Sequence, residues 1–544
     1  MVKLYTVKEM IALEKEANEN GLTYEMMMEN AGKGIAEQIE DAYSHIDNKS
    51  ILALVGSGNN GGDALVASSH LAAKNWKTTA YVVREREKDD PLIKRLAKAG
   101  GEIVNIHDDH QYQILGKLIT SHAILLDGIF GTGIKLPLRG EIEKTLAFIR
   151  QSLEAKPGKP CVVAVDCPSG IDCESGEAAL ETIQAEMTVT MAGVKVGLIR
   201  FPAASLTGEL RIASIGYIEN LQSYNNNQKI ILNNDFIHHI LPLRPSDAHK
   251  GTFGTALIIA GSINYTGAAL LSGTAAYRSG AGLVTLAIPG TIHAALAGHL
   301  PEATWIILPD EIGVISADAA RVVRKNLDKI TAILIGPGFG LEETTKDFLY
   351  RFFTEVGSPT KSEIGFIHSD EGHEIDNQII KPVVMDADGL KLISKISNWH
   401  KLLPSHSVLT PHPGEMAIIS GLTTTEIQEN RLEIASQYSK KWGHVIVLKG
   451  AYTVIAAPDG QIAVVPIATP ALARAGTGDV LAGLIVGFRA QGIAAFEAAC
   501  AGAWIHATAG LVAAKNIGNT ASVIAGDVLN AIPQVITNLN QRNC

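Results

Sequence analysis

Apolar and polar positions change their rhythm along the chain. Over residues 1–45 they recur at helical spacing. Thr6-x-x-Glu9 is a capping-box pattern ahead of an apolar run, and Leu22 to Ile39 repeats around Met26, Met27 and Met28, a stripe expected to fill core. From residue 51 short β-rich runs alternate with helical segments. ILALVG (51–56), TTAYVV (78–83), GEIVNI (101–106), HAILLDGIF (122–130), CVVAVD (161–166) and MTVTMAG (187–193) predict strands, separated by helices at 63–74, 91–99 and 139–152. Such alternation predicts a parallel sheet with helices on both faces. Residues 219–249 are Asn-rich with weak periodicity, which places a linker near 217–232 and domains at 1–222 and 223–544. The alternation then resumes with ALIIAG (256–261), LVTLAI (283–288), AILIGPG (332–338), PVVMDAD (382–388), SVLTPHP (407–413), HVIVLKG (444–450) and TVIAAP (453–458). The polar stretch 355–381 has no strong period and predicts an inserted surface loop.

Composition narrows the possibilities. With 544 residues, 46% hydrophobic and 19% charged, the chain can bury large cores. A net charge of −10 argues against a general nucleic-acid binder, which needs a basic face. Cys161, Cys167 and Cys173 recur at six-residue intervals without a zinc spacing, so they read as reduced thiols of a cytoplasmic protein. The N-terminus lacks an apolar signal region. The apolar stretches near 256–290 and 480–513 are interrupted by Arg278, Arg489, Glu497 and His506, so no membrane helix is expected.

The first candidate chemistry lies at strand ends. Gly56-x-Gly58-x-x-Gly61 joins a strand to a helix and satisfies a dinucleotide fingerprint, although a tight turn without a ligand satisfies it too. Glycine lets backbone approach a phosphate, and a helix start offers free N–H groups. Asn59 and Asn60 add carboxamides there, and Asp63 adds a carboxylate that a plain phosphate site would avoid. Asp127 ends a second strand before the glycine-rich loop 128–133. Asp166 ends a third, followed by Pro168, Ser169 and Gly170. Each Asp alone reads equally as an N-cap or turn residue. Together they point to a site, because ligands of parallel sheets bind beyond the carboxyl ends of the strands.

On NNGGD, D-x-x-x-G-x-G and D-x-P-S-G, residues 1 to about 217 resemble the NAD(P)H-hydrate epimerase family, with Ala64 where that family usually has Gly. The resemblance implies a Rossmann-like, doubly wound domain that interconverts the R and S hydrates of NADH and NADPH. It implies potassium held by Asn60, Asp127 and Ser169. It also implies that Asn59, Asn60, Gly61, Gly62, Asp63, Gly131, Thr132, Gly133, Ile134, Lys135, Leu136, Pro137 and Asp166 face the hydrate. Inverting a carbon that bears a hydroxyl beside a ring nitrogen moves protons on and off oxygen, which suits Asp166 as acid and base.

The second half carries HKGTFG (249–254), GSINYTGAA (261–269), GPGFG (336–340), DADGL (386–390), TPHPGEM (410–416) and KGAYT (449–453), each alone readable as a turn. AGTGDVLAGL (475–484) is sharper. Glycine N–H groups at a helix start make an anion hole, and Asp479 can take a proton from a substrate hydroxyl. This signature resembles the ribokinase-like kinases, and the chain has no Walker A motif.

With its ordered neighbours, the motif makes residues from about 240 to 540 resemble the ADP-dependent NAD(P)H-hydrate dehydratase family, a ribokinase-fold branch of α/β proteins. Thr469-Pro470 stands where members often have Asn-Pro. The implied reaction is phosphorylation of the S-hydrate by ADP, then loss of phosphate to restore NAD(P)H, with AMP as the other product. Asp479 would be the base and Gly478 part of the anion hole. Lys449, Gly450, Ala451, Tyr452 and Thr453 would line ADP, which brings Mg2+. Ala268, Gly338 and His412 would join Asp479 around the hydrate. The expected partners are therefore NADHX, NADPHX and ADP, with no nucleic acid and no membrane, and the chain is expected to form a homo-oligomer. An ATP-dependent small-alcohol kinase with a nucleotide-binding or scaffold N-domain would share GTGD, but it leaves TPHPGE and NNGGD unexplained. A dehydrogenase would share the Gly56 fingerprint but lacks an evident His/Arg pairing.

Overall fold

The computed structural model describes residues 1–154, 158–354 and 381–541, so the surface loop expected at 355–381 lies, but for Lys381, outside the described residues. The chain forms two compact units, Val2–Ile231 and, with Met1, Leu232–Cys544.

The first unit is built on a seven-stranded sheet in the order Glu102–Asn105, Lys77–Val82, Ser50–Val55, Ile124–Gly128, Cys161–Val165, Met187–Met191, Glu209–Ala213. All of its pairings are parallel. From Ser50–Val55 the chain first winds one way and then returns to wind the other, so the order reverses between Ser50–Val55 and Ile124–Gly128. This is the doubly wound, Rossmann-like arrangement. Parallel strands covered on both faces need apolar residues at every position. Accordingly Ile51, Ala53 and Val55 enter one core cluster, while Leu52 and Leu54 enter the cluster on the opposite face.

The capping box forms: Glu9 N–H donates to Thr6 Oγ1 at 3.1 Å and Thr6 N–H donates to Glu9 Oε2 at 2.8 Å. The opening residues are not purely helical, because Val2–Tyr5 is a strand that pairs with Val194–Lys195 and with Lys229–Ile231. The methionine stripe also needs correction. Consecutive helical residues point about 100° apart. Met27 alone is core, Met26 is exposed, and Met28 lines a pocket.

The second unit has the strand order Thr304–Leu308, Leu283–Pro289, Thr255–Ile259, Ala332–Ile335, Val383–Met385, Val408–Leu409, Val445–Leu448, Val454–Ala456, Ile462–Val464. Its pairings are parallel as far as Val445–Leu448, and the last two strands are added antiparallel. The buried helix Thr477–Ala490 packs on Gly267–Arg278 at backbone distance. A Cβ on Gly483 would lie 2.3 Å from Ser272 O, and one on Gly487 2.0 Å from Ser279 Oγ. That close approach explains the small residues of both helices. It completes a ribokinase-like α/β unit. Cys161, Cys167, Cys173 and Cys500 are free thiols. Among the described residues no helix is long and apolar enough to cross a membrane.

Candidate active sites

In the first unit the strand ends at 55, 128 and 165 meet at the point where the strand order reverses. The Gly56–Gly61 turn is pressed onto them. A Cβ on Gly56 would stand 2.0 Å from Ile129 O, and one on Gly61 2.1 Å from Gly56 O. Arg86 ties the turn down, donating to Gly56 O at 2.8 Å and Gly58 O at 3.1 Å while its Nε pairs with Asp90 at 2.6 Å. Ala64, at the family's usual Gly position, is buried, and a Cβ on Gly128 would stand 2.6 Å from its own Cβ.

Asn60, Asp127 and Ser169 are brought together. Asn60 Nδ2 donates to Phe130 O at 3.0 Å and Val165 O at 2.7 Å. Asp127 accepts from the N–H and Oγ of Ser169 at 2.7 and 2.6 Å, and Ser169 Oγ accepts from Phe130 N–H at 3.0 Å. Asn60 Oδ1 faces Gly131, where a Cβ would come within 2.4 Å. Burial pushes the Asp127 carboxyl up, and among the described residues it has no cationic partner. Hard oxygen donors around a fully buried carboxylate are a chemical match for a monovalent cation.

Asp166 follows the strand Cys161–Val165 with φ +67°, a left-handed backbone that a non-glycine residue rarely holds. Its Oδ1 accepts from Thr190 Oγ1 at 3.1 Å, from Met191 N–H at 3.3 Å and from the Lys195 ammonium. Burial works against the Lys195 charge, but the carboxylate of Asp166 outweighs it and the net direction is upward. Asp63 is buried and held well above the usual carboxylate range by burial, then by Asp166 and Glu14. Asn59, Asn60, Asp63, Thr132 and Asp166 line one pocket, joined by Glu14 and Lys195, which sequence reasoning missed. Gly61 and Gly62 lie buried in the first turn beneath it, and a Cβ on Gly62 would strike Met28 Cε at 2.8 Å. Of the loop that follows, Ile134 and Leu136 pack against the core, while Gly133, Lys135 and Pro137 are exposed. The signal for Lys195 was available: a lysine in the apolar run MTVTMAGVKVGL needs a buried partner.

In the second unit, Gly476 at φ +85° starts the helix Thr477–Ala490 without a side-chain cap, leaving its first N–H groups unclaimed by a capping oxygen. Asp479 sits in that first turn. Burial, reinforced by Asp386, pushes its carboxyl up to about 7. Lys449 stands 3.6 Å from the Cβ position of Gly478. Thr410 Oγ1 donates to Asp386 Oδ1 at 2.7 Å.

Arg431 carries the Lys449–Thr453 segment, donating to Leu448 O at 2.8 Å and Lys449 O at 3.2 Å. Gly450 at φ +142° and Tyr452 at φ +52° then turn the chain, and Thr453 Oγ1 donates to Gly450 O at 2.8 Å, with Ala451 exposed. Ala268 and Gly338 are neighbours, since a Cβ on Gly338 would lie 2.8 Å from that of Ala268. His412 caps the helix Pro413–Ser420: its Nδ1 accepts from Gly414 N–H at 3.0 Å and Glu415 N–H at 3.3 Å. Burial lowers its pKa, so the ring stays neutral with a proton on Nε2. Thr469, at the Asn position of the family, caps the turn Pro470–Leu472 by accepting from Ala471 N–H at 3.3 Å. Asp386, Glu415 and Arg431 had no role assigned from the sequence.

Comparison with known proteins matches each half of the chain to a family. A family described as NAD(P)H-hydrate dehydratase matches residues 256–364 and 368–534, and one described as YjeF-related protein N-terminus matches residues 24–197. A bifunctional NAD(P)H-hydrate repair enzyme from Moorella thermoacetica is 35% identical over 99% of this chain and 97% of its own length. The protein of that name from Escherichia coli is 30% identical over 95% of this chain and 90% of its own. Among solved structures, the ADP/ATP-dependent NAD(P)H-hydrate dehydratase of Bacillus subtilis is 29% identical, covering 57% of this chain and 98% of its own with a TM-score of 0.46. With relatives matched from end to end, and each half matched to its own family, the chain belongs to the bifunctional NAD(P)H-hydrate repair enzymes.

Proposed function

We propose that the first unit interconverts the R and S hydrates of NADH and NADPH, and that the second returns the S-hydrate to NAD(P)H at the expense of ADP, releasing AMP and phosphate. The observation that carries the reading is Asp479 at an uncapped, glycine-opened helix start beside Lys449: a base, an anion hole and a cation at one place. A hydroxyl is a poor nucleophile and a poor leaving group. Asp479 takes its proton, and the helix N–H groups and Lys449 stabilise the transferring phosphoryl group. The phosphate ester then leaves with the electrons of the C–O bond, helped by the ring nitrogen, and loss of a proton from the neighbouring carbon restores the double bond. His412 Nε2–H and the Ala268–Gly338 wall are assigned to the hydrate, and Lys449–Thr453 to ADP.

In the first unit, Asp166 is assigned the proton transfer, with Asn59–Asp63 and the loop Gly131–Pro137 around the ring. Potassium suits the oxygens of Asn60, Asp127 and Ser169, where it would balance the buried carboxylate and brace the loops. Mg2+ would arrive with ADP, held mainly by its phosphates and by at most one or two carboxylates. Action in the cytoplasm, as a homo-oligomer, completes the proposal; the unpaired thiols fit a reducing compartment.

The test is recovery of NADH absorbance from mixed hydrate epimers. The full chain with ADP should recover both epimers and, without ADP, neither. Recovery independent of ADP would overturn the reading.

A further inference from the structure

The pocket of the first unit holds more acid–base chemistry than one aspartate requires. Every donor to Asp166 goes to Oδ1, and Oδ2 receives none from a described residue. The ammonium of Lys195 is fully engaged, donating to Asp166 Oδ1, to Thr190 Oγ1 at 2.9 Å and to Met191 O at 3.3 Å. Lys195 therefore has no proton to offer a ligand. Asp63 is the reverse case. Its carboxyl lines the same pocket at 8% exposure, and among the described residues it makes no hydrogen bond. An unpaired buried carboxyl keeps its proton.

We propose that Asp63 is the general acid of the epimerisation, opposite Asp166 Oδ2 as base, and that Lys195 is the positioning residue that keeps Asp166 an acceptor. This rests on the epimerase reading above. Asp63 gives its proton to the hydroxyl of the bound hydrate as the C–O bond breaks. Water leaves, and the ring nitrogen lone pair forms the C=N+ bond. Water then adds to the opposite face while Asp166 Oδ2 takes one of its protons, giving the other epimer. The proton returns from Asp166 to Asp63 through pocket water, and no atom or electron is gained or lost.

The surroundings divide the two carboxyls as such a pair requires. Asp63 faces Asp166, Glu14 from the helix Val7–Glu19, and Lys195. From the helices packed on its own, Glu29 and Arg95 face each other at 3.0 Å, with His70 2.9 Å from Glu29. They are committed to one another.

The experiment is the pH dependence of epimerisation in the full chain, followed by chiral chromatography of the hydrates. The wild-type kcat/KM should fall at alkaline pH, where Asp63, held above the usual carboxylate range by burial, loses its proton. Asp63→Asn should lower the rate about 10²–10⁴-fold and remove the alkaline limb, with dehydration of the S-hydrate retained. Lys195→Met should lower kcat and leave KM close to wild type, a split that a merely structural lysine would not produce. An unchanged rate in Asp63→Asn, or a wild-type profile with no alkaline limb, overturns the proposal even if the lysine variant fails to fold. Wild-type protein that adds nothing to the spontaneous rate would instead overturn the epimerase reading.

Discussion

Lys449 and Asp386 form a buried ion pair: Nζ lies 2.7 Å from Oδ1, with the side chains 17% and 1% exposed, and Glu415 Oε2 is 3.5 Å away. Burial alone would discharge the lysine, but Asp386 and then Glu415 outweigh it and raise its affinity for the proton. One cation is thus shared by two buried carboxylates and stands beside the anion loop.

Lys449→Met should therefore fail twice. It leaves Asp386 and Glu415 uncompensated, and breaking a buried pair from one side costs about 3–5 kcal/mol. It also removes the cation that the proposed function sets against ADP. Thermal unfolding should show a lowered transition, and calorimetric titration a weakened ADP affinity. Adding Asp386→Asn should recover part of the stability and none of the affinity. Recovery of both would mean that Lys449 acts on structure alone.

Gly61→Ala should disable epimerisation while dehydration continues. Its Cβ would fall 2.1 Å from a backbone oxygen, which cannot swing aside as a flexible side chain could. Overpacking of this kind costs about 1–3 kcal/mol and would displace Asn59, Asn60 and Asp63 with the turn. Gly58→Ala is the control, since nothing lies within 4 Å of its Cβ position. Equal epimerisation rates in the two variants would sink the argument.

These glycines were legible in the sequence, as were Asp127, Asp166 and Asp479, because each sits at a strand end or helix start that local pattern identifies. Lys195 showed only as a lysine inside an apolar run, without its partner, and Glu14 showed nothing. They reach the pocket from a two-residue strand and from a helix over a hundred residues earlier in the chain, so only the fold joins them to Asp166. Glu209–Ala213 and Thr304–Leu308, strands at the ends of their orders, were missed for different reasons: ELRIA carries charges at Glu209 and Arg211, and TWIIL is a short apolar run with no period to separate strand from helix. His412 shows the opposite difficulty. Its motif marks it for substrate, yet its Nδ1 is spent on capping a helix, leaving only Nε2 for a ligand.

Asp166→Asn keeps the volume and loses the base. Enzyme-driven epimer interconversion, followed by chiral chromatography, should fall about 10²–10⁴-fold, with S-hydrate dehydration intact. The amide also removes the negative partner of the Lys195 ammonium, so the first unit should unfold at lower temperature. A rate equal to wild type would remove Asp166 from the mechanism.

Asp479 links activity and stability through pH. Its carboxyl titrates at about 7, pushed up by burial and then by Asp386. Only the ionised form can accept the hydroxyl proton, so kcat/KM for dehydration should fall as pH drops below about 7 and approach a tenfold loss per pH unit. The stability effect has the opposite sign. A carboxyl whose folded pKa lies above its unfolded value binds the proton more tightly when folded, so its ionisation above pH 4 works against folding. Asp479→Asn should thus abolish turnover and yet stabilise the second unit. That gain should grow as pH rises from about 4 to about 7 and stay constant beyond. The amide also removes a negative charge near the phosphates, so ADP affinity in calorimetric titration should hold or rise. Epimerisation should not change. Lost ADP binding together with lost stability would make Asp479 a structural support of the anion loop. Wild-type activity with a flat profile between pH 5 and 8 would exclude it as the base.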